Sequence, residues 1–326
     1  MEQMFDRRTL LQRSVAIGLM GISVGSRAQS DLAKFQIGFA AGGITDVLCR
    51  RLEPILKEDK YASVVILEHR PGASGRIALE AVRNAPPNGL SLLPMPASVM
   101  TVLPHAIVGP SYHPTRDFAP VGALGEGVIY LAINAERVPA RTLQAYVEVF
   151  QKDPSKALYA TGGIGSMPHL IGTLIEQELK VKFEHVPYKG GAAAFTDAVG
   201  GQVPAIMGTL QPQVIDAHRA RKLVILATSG TQRTSILPDV PTFIEAGIPS
   251  ARFTEYIGLW TTQGTPPAML DKLAGALAVM ARDTKFLSDW ALSPMQLSRS
   301  AFAERVASDF DAMRPLVKQI GLRIDR

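Results

Sequence analysis

The sequence predicts an α/β protein in which short strands alternate with helices over most of the chain. Its 326 residues are 47% hydrophobic and 19% charged, a balance typical of a globular chain with room for two lobes of ordinary domain size. Because helix-period segments separate the strands, we expect mainly parallel sheets covered on both faces. The candidate strands are Phe35–Ala40, Ser63–Leu67, Leu90–Leu93, Val128–Ile133, Ala157–Ala160, Phe183–Pro187, Val203–Met207, Leu223–Ala227 and Ile257–Thr261.

The C-terminal stretch has a different pattern. From Pro266 onward the pattern is helical, and we expect the last helix to bend at Pro315 and to end at Gly321. A helical tail without strands of its own must pack on an existing sheet, which predicts a discontinuous first lobe. We expect residues 29–129 and 256–326 to form the first lobe and residues 130–255 to form the second. The candidate strands at 128–133 and 257–261 would then cross between the lobes as a paired hinge.

The first 28 residues are typical of an export signal. Arg7-Arg8 precedes the apolar run Val15–Val24, which is too short to span the ~30 Å of a bilayer core. Ser26-Arg27-Ala28 then offers small residues at positions −3 and −1 of a cleavage site. The arginine pair favours the twin-arginine route. We therefore predict that residues 1–28 are a signal peptide and that the mature protein works in the periplasm; a buried N-terminal helix is the alternative.

A glycine pair follows the first strand, in the stretch Phe39-Ala40-Ala41-Gly42-Gly43-Ile44-Thr45-Asp46, here called the first glycine loop. The glycines allow a tight turn that leaves backbone N–H groups free at a helix start, where hydrogen bonding and the helix dipole favour an anion. Asp46 falls in the first helical turn and can accept from such N–H groups. The loop either binds a ligand or is an ordinary strand–helix turn.

The second glycine loop, residues 159–169, lies at the same strand-to-helix position later in the chain. Ser166 is a candidate N-cap, and Thr161 supplies a second hydroxyl beside free backbone donors. One such loop on each lobe predicts an anion site in a cleft that closes on its ligand. His169 is predicted with equal weight to contact the ligand or to pack inside the protein. For Tyr188 and Lys189 we predict a turn after a strand, and a position on the wall of the cleft is the alternative.

Several other functions lack their motifs in this sequence. Neither glycine loop matches a P-loop or completes G-x-G-x-x-G, since Pro168 occupies the last glycine position. The sequence has no G-x-S-x-G elbow, no compact histidine cluster for a metal and no Lys/Arg block for nucleic acid. Cys49, the only cysteine, falls on an apolar helix face and is predicted to be buried. We therefore predict no catalysis, cofactor, metal or nucleic-acid partner.

These features together resemble the Bug-type solute-binding receptors of tripartite tricarboxylate transporters. The resemblance covers about residues 33–322, and the order and spacing of short segments carry it. The segments are Phe39–Asp46 with Arg50, Glu68–Gly75, Ala85–Gly89, Thr161–His169, His185–Gly190, Gly200–Val203, Leu237–Thr242, Glu245–Gly247 and Gly264–Pro267.

The resemblance implies a type II periplasmic-binding-protein fold, in which two crossover strands join two α/β lobes around a ligand cleft. It also implies a carboxylate ligand held by backbone groups and ordered water rather than by an arginine fork. The ligand-binding residues implied by position are Phe39, Ala40, Gly42, Gly43 and Asp46 from the first loop, Thr161, Gly162, Gly165 and Ser166 from the second, and Ala97 and Ser98 after the third strand. We add His169, Gly208 and Thr209 as candidate contacts.

Two departures from the family pattern bear on the ligand. The family commonly has a proline where Ala40 or Ala41 stands, so we expect a less rigid first loop. An acidic or amide residue often follows Val203 near the strand end, where this chain has Met207-Gly208-Thr209. An ammonium group would lack its usual partner here, so we expect a simple or aromatic carboxylate rather than an amino acid.

The sequence therefore predicts a monomeric periplasmic receptor that closes on a small organic carboxylate and delivers it to membrane permease subunits. A sensory receptor of the same fold that signals to a membrane partner is the alternative. An exported hydrolase is disfavoured because no nucleophile–base pair is recognisable. A DNA-binding regulator is disfavoured because no helix-turn-helix segment precedes the first lobe.

Overall fold

The computed structural model describes residues 32–109 and 111–324, so the predicted export signal lies outside the described residues. Each of the candidate strands overlaps an observed strand. The strands are β1 (Leu32–Ile37), β2 (Val64–His69), β3 (Ser91–Pro96), β4 (Phe118–Asn134), β5 (Leu158–Thr161), β6 (Glu184–Pro187), β7 (Ala205–Thr209), β8 (Leu223–Thr228) and β9 (Thr254–Thr262).

Helices connect most of these strands, as the alternating pattern predicts. They are α1 (Ile44–Glu58), α2 (Arg76–Arg83), α3 (Ala97–Thr101), α4 (Leu103–Ala106), α5 (Leu143–Lys152), α6 (Met167–Leu179), α7 (Gly191–Val199), α8 (Pro212–Arg219), α9 (Pro267–Ala281), α10 (Thr284–Asp289) and α11 (Arg299–Gln319). Short 3₁₀ turns lie at Ala73–Gly75 and Pro154–Lys156. Within the described ranges, no helix is long and apolar enough to cross a membrane.

The strands form one sheet in the order β2-β1-β3-β9-β4-β7-β5-β6, with β8 also paired to β4. Its two wings are parallel, since β1 pairs with β2 and β3 while β5 pairs with β6 and β7. Pairings in the centre are antiparallel: β9 with β3 and β4, and β4 with β7 and β8. The expectation of mainly parallel sheets is therefore correct for the wings and wrong for the centre, where the chain passes between two α/β lobes.

Strand β4 belongs to both lobes. Its first part, from Phe118 to Val128, pairs with β9, and its last part, from Ile129 to Asn134, pairs with β7 and β8. The predicted crossover at 128–133 thus overlaps the point where β4 changes partners. The predicted pairing of 257–261 with 128–133 is not observed, since 257–261 pairs with 119–125 in the first part of β4. The return passage runs through residues 229–253 and enters β9 at Thr254, which pairs with Val128. The exact lobe boundaries stay a prediction.

The C-terminal helices pack on this central strand, as expected of a helical tail. A Cβ atom on Gly122 of β4 would lie 2.8 Å from Leu277 of α9, and one on Gly125 would lie 3.1 Å from Leu292. The close approach of apolar side chains explains glycine at these positions. Helix α11 runs through Pro315 as one element. Cys49 is fully buried in the core that β1, α1 and α9 share, as predicted.

Candidate functional site

A cavity of about 100 Å³, here called the interlobe cavity, lies where the two lobes meet. Its size is comparable to the ~150 Å³ of an apolar cavity that holds benzene, which indicates a small ligand. First-lobe residues on its wall include 39–40 and 43–46, with Ser74 and Ser98. Second-lobe residues include 162–164, Ser166, 206–209 and Phe195. The two glycine loops therefore face each other across this cavity.

Nine of the predicted ligand contacts line the interlobe cavity: Phe39, Ala40, Gly43, Asp46, Ser98, Gly162, Ser166, Gly208 and Thr209. The remaining candidates are absent from its described lining: Gly42, Ala97, Thr161, Gly165 and His169. Their hydrogen bonds, described below, show that several of them shape the loops. Ligand contact by any of these residues stays a prediction.

Asp46 organises the first glycine loop. One carboxylate oxygen, Oδ2, accepts from the Gly42 N–H and from Arg50 Nε, both at 3.0 Å, while Oδ1 lies 2.7 Å from His69 Nε2. Burial raises the pKa of Asp46, but these hydrogen bonds outweigh burial and place the pKa below its usual value. Asp46 is 3% exposed and stays ionised, with its charge offset by neighbours behind the loop.

The start of α1 lies on the wall of the interlobe cavity. Gly43 is the N-cap residue, and no described side chain caps this helix start. Gly43, Ile44 and Thr45 all line the interlobe cavity. The first N–H groups of a helix have no partner within the helix, so they are available to an anion here.

Internal hydrogen bonds hold the second glycine loop. Thr161 Oγ1 accepts from the Gly163 N–H at 3.2 Å, and Ser166 Oγ donates to the Gly163 carbonyl at 2.7 Å. His169 Nδ1 accepts from the Gly165 N–H at 3.0 Å. Several donors that the sequence offered to a ligand are therefore used within the loop. Ser166 also accepts from the His169 N–H, which confirms it as the N-cap of α6.

His169 is a packed residue in this structure. It is 8% exposed and stacks on His185 behind the second glycine loop. Burial lowers the pKa of His169 to about 4, and burial together with the unfavourable interaction of two charged rings lowers the pKa of His185 to about 3. Both rings are therefore neutral at pH 7. Of the two roles left open by the sequence, the structure favours packing.

A third helix start on the interlobe cavity was missed from the sequence. Helix α7 begins at Gly191 after Gly190, without a capping side chain among the described residues, and Gly191 and Phe195 line the interlobe cavity. Tyr188 and Lys189 follow β6 without an assigned turn and line a second cavity between the lobes, together with Phe39 and Ser74 of the first lobe, so the cleft-wall alternative fits them better than a simple turn. The Tyr188 hydroxyl donates to Asp197 of α7 at 2.8 Å, so it braces this helix. The Gly190-Gly191 pair was the signal that could have identified the site.

Glu255, near the start of β9, is the most consequential residue that the sequence did not single out. It is 3% exposed and lines the interlobe cavity. Its Oε1 accepts from the Ser98 N–H and its Oε2 from the Ser98 hydroxyl, both at 2.8 Å. Burial raises the pKa of Glu255 to about 7, although hydrogen bonds from Ser98, Met167 and Ala97 oppose the rise. Its two oxygens therefore engage donors from both lobes.

The lobes touch at the rim of the interlobe cavity. A Cβ atom on Gly163 of the second lobe would lie 3.2 Å from Ser74 Oγ of the first, and one on Gly190 would lie 3.5 Å from the backbone nitrogen of Ala40. Ser74 has a φ of +56° and the preceding Ala73 a φ of +48°, the left-handed region that such residues rarely adopt. Glycine in the second lobe thus permits close contact with a strained first-lobe turn.

Two α/β lobes around a cavity, with helix starts directed into it, define a solute-binding receptor of the periplasmic-binding-protein type. The chain belongs to the tripartite tricarboxylate transporter family receptors, whose model matches residues 50–322. A UPF0065 protein of Bordetella bronchiseptica is 30% identical over 273 residues, which cover 82% of this chain and 78% of the relative. The family resemblance is confirmed.

Solved structures confirm the two-lobed fold. The periplasmic binding protein BugD is 27% identical, with a TM-score of 0.81 over 90% of this chain and 99% of its own. A Rhodopseudomonas palustris protein solved with adipate is 23% identical, with a TM-score of 0.82 over 89% of this chain and 97% of its own. MatC from the same organism, with bound malate, is 23% identical. Its TM-score is 0.80 over 88% of this chain and 98% of its own.

Proposed function

We propose that this protein is a periplasmic receptor that binds a small organic carboxylate between its lobes and delivers it to the permease subunits of a tripartite tricarboxylate transporter. Family membership supports the transport role, and structural neighbours that hold malate and adipate support the ligand class. The observation that carries the proposal is the pair of helix starts, α1 and α7, that face the interlobe cavity without side-chain caps. Such helix starts favour a negatively charged group.

The charge pattern of the wall agrees with backbone recognition. Among the described residues that line the interlobe cavity, the ionisable carboxylates are Asp46 and Glu255, and no lysine, arginine or histidine is present. Both carboxylates accept several hydrogen bonds, and Arg50 lies close to Asp46. A ligand carboxylate would therefore be held by N–H groups and water rather than by an ion pair.

Apolar side chains share the rest of the wall with polar ones such as Gln211 and Gln213. Phe39, Tyr130, Phe195, Ile206 and Val214 all contribute to it. Small-molecule sites combine such apolar walls with a few polar groups that orient the ligand. We infer that the ligand is a compact carboxylate with an aliphatic or aromatic body.

We further infer that the ligand leaves unchanged. The family and the structural neighbours are solute-binding receptors, which supports this inference. The Ser98 hydroxyl donates to Glu255, an arrangement in which a carboxylate can activate a serine, so the inference calls for a chemical test. Incubating the protein with a bound acid and measuring the mass of the recovered acid tests this inference. A changed mass would indicate an enzyme.

The ligand class is tested by thermal unfolding and calorimetry with paired acids and amides. Benzoate and hexanoate should raise the melting temperature as their concentration rises, by about 2.7 kcal/mol of stabilisation at a hundredfold excess over Kd. Benzamide and hexanamide have the same shape without the charge and should not. Equal stabilisation by acid and amide, or none by any acid in a broad panel, contradicts the proposal.

A backbone variant locates the donors. Gly191→Pro removes one N–H at the first position of α7, where proline suits a helix, and Gly191→Ala keeps that N–H. We expect the proline variant to bind the acid more weakly than the alanine variant while both keep the wild-type circular dichroism spectrum. Equal binding by the two would exclude the α7 start as a donor.

A further inference from the structure

Glu255 places its own carboxylate in the binding region. It is 3% exposed, and both of its oxygens accept hydrogen bonds at 2.8 Å from Ser98, which follows β3 in the first lobe. The backbone N–H groups of Ala97 and of Met167 also act on this carboxylate. Met167 is the first residue of α6, in the second lobe. The carboxylate thus joins donors from both lobes.

This arrangement gives each oxygen of the Glu255 carboxylate a donor at 2.8 Å. An ionised carboxylate has about four acceptor positions and no donor. Ser98 supplies a backbone N–H and a hydroxyl, and the backbone N–H groups of Ala97 and Met167 lie near enough to lower the pKa of the carboxyl. Backbone donors from two lobes, converging on one carboxylate in the interlobe cavity, are what a ligand carboxylate would need in a closed receptor.

We propose that Glu255 stands in for one carboxylate of a dicarboxylate ligand and thereby restricts this receptor to monocarboxylates. The proposal rests on the carboxylate-binding function above and specifies the ligand within it. Glu255 occupies the donors at residues 97, 98 and 167, which leaves the starts of α1 and α7 for a single ligand carboxylate.

Charge repulsion strengthens this selection. Above the pKa of Glu255, where its carboxylate is ionised, a second ligand carboxylate in the same cavity would lie near the charges of Glu255 and Asp46, which both line the wall. Arg50 and His69 contact Asp46, but neither lines the interlobe cavity, and the described lining holds no lysine, arginine or histidine that could pair with a second ligand charge. Like charges placed together without such a partner weaken binding strongly, so discrimination of at least about tenfold is expected.

Hexanoate and adipate test the proposal, since they share a six-carbon chain and differ in the second carboxylate. Calorimetry should show that the wild-type protein binds hexanoate at least about tenfold more tightly than adipate. In Glu255→Ala the vacated donors should accept the second carboxylate and shift this affinity ratio at least about tenfold towards adipate. Glu126→Ala is the matched control, because Glu126 accepts from Thr254 Oγ1 at 2.6 Å beside the same strand but does not line the interlobe cavity. Its affinity ratio should stay at the wild-type value.

A second readout is independent of the transported ligand. Formate should raise the melting temperature of Glu255→Ala more than chloride does, because formate can occupy the vacated carboxylate position. The difference between formate and chloride should be larger in Glu255→Ala than in the wild-type protein. Glu255→Gln preserves the side-chain shape, so it gives a folded comparison if the alanine variant is unstable. The affinity ratio of Glu255→Gln should also shift from hexanoate towards adipate relative to the wild type, since the amide lacks the negative charge of Glu255.

The outcomes separate the two proposals. An unchanged hexanoate-to-adipate ratio in both Glu255 variants, or no specific effect of formate on Glu255→Ala, overturns the role of Glu255 while leaving the receptor function intact. Wild-type protein that binds neither these acids nor any other acid of the panel overturns the proposed function, and ligand selection by Glu255 falls with it.

Discussion

The imidazole rings of His169 and His185 stack with their centroids 3.8 Å apart and their planes at 18°. His169 Nδ1 accepts from the Gly165 N–H at 3.0 Å, and His185 Nε2 lies 2.7 Å from Thr161 Oγ1. Since a backbone N–H can only donate, Nδ1 of His169 carries no proton. The neutral ring pair therefore fixes two points of the second glycine loop from behind.

Replacing His169 should disturb both stability and binding. His169→Leu leaves the buried Gly165 N–H without an acceptor, which should cost about 1–3 kcal/mol of unfolding free energy and loosen the loop that lines the interlobe cavity. His218→Leu is the matched control, because His218 Nδ1 likewise accepts a backbone N–H, from Ile225 at 3.1 Å, away from the interlobe cavity. Urea unfolding and ligand calorimetry check the pair. Equal ligand affinity in the two variants would contradict a role of His169 in shaping the site.

The same ring pair predicts acid sensitivity. The pKa of His185 is lowered to about 3 by burial and by His169, whereas the unfolded chain takes up this proton near pH 6.5. As pH falls from about 6.5 towards 4, the unfolded state binds protons that the folded state cannot, so stability falls. His185→Gln should reduce this loss by roughly 1–3 kcal/mol, measured as unfolding free energy across that pH range. An unchanged pH profile would show that His185 does not carry it.

Glu255 should have the opposite effect on the pH dependence of stability from that of His185. Burial raises its pKa to about 7, so between pH 7 and about 4.5 the folded state binds a proton that the unfolded state does not, and stability rises as pH falls. Glu255→Gln removes this compensating gain. We expect its unfolding free energy to decline more steeply than that of the wild type between pH 7 and 4.5, by roughly 1–3 kcal/mol over the interval. Parallel profiles for the two proteins would mean that Glu255 does not titrate in this range.

Local sequence patterns predicted the wings of the sheet better than its centre. The six-residue expectation at 128–133 corresponds to part of β4, which has 17 residues and begins at Phe118. Pro120, Gly122 and Gly125 make the first part of β4 unlike a strand, and the ladder to β9 shifts register there. Those glycines serve contacts with Leu277 and Leu292, more than a hundred residues away in the chain, and no local pattern reveals such contacts.

In the candidate site, too, local patterns predicted some features and missed those that depend on distant contacts. Glycines between a strand and a helix identified both loops, because backbone geometry is a local property. Glu255 was missed because an acidic residue at the start of a strand is ordinarily solvent-exposed, and its partner Ser98 lies 157 positions away. Its burial depends on how two lobes fold together, which spacing along the chain does not show.

Backbone conformation distinguishes the two glycines of the first loop. Gly42 has a φ of +84°, so Gly42→Ala should cost about 1–2 kcal/mol of unfolding free energy, although no atom lies within 4 Å of the added Cβ. Gly43 has a φ of −81°, which alanine adopts freely, so Gly43→Ala should keep wild-type stability. The Gly43 methyl group would lie beside the interlobe cavity and should weaken ligand binding. Thermal unfolding and calorimetry of both variants check these expectations, and equal destabilisation by the two would contradict the strain argument.

Asp46 should stabilise the fold above pH 4 and lose this effect in acid. Burial raises its pKa, but the hydrogen bonds from Gly42, Arg50 and His69 lower the pKa by more than burial raises it. The ionised form is therefore favoured in the folded state. This stabilisation is present above the unfolded pKa of about 4 and disappears as pH falls through the lower folded value. Asp46→Asn should therefore cost about 1–3 kcal/mol at pH 7, and the difference from the wild type should shrink below pH 4.

Asp283→Asn is the matched control for this prediction. Asp283 accepts from Arg51 Nε at 2.9 Å and from the Phe286 N–H at 3.1 Å, so it also pairs with an arginine of α1 and holds a backbone donor. Its pKa is lowered by the Phe286 N–H and by Arg51, but it lies away from the interlobe cavity. Both variants should lose stability with the same pH dependence, whereas Asp46→Asn alone should weaken ligand binding, because Asp46 holds the Gly42 N–H that shapes the first glycine loop. Urea unfolding from pH 3 to 7 with calorimetry at pH 7 separates the two effects. If Asp283→Asn weakened binding equally, the loss would reflect general destabilisation, and the specific role of Asp46 in the loop would be refuted.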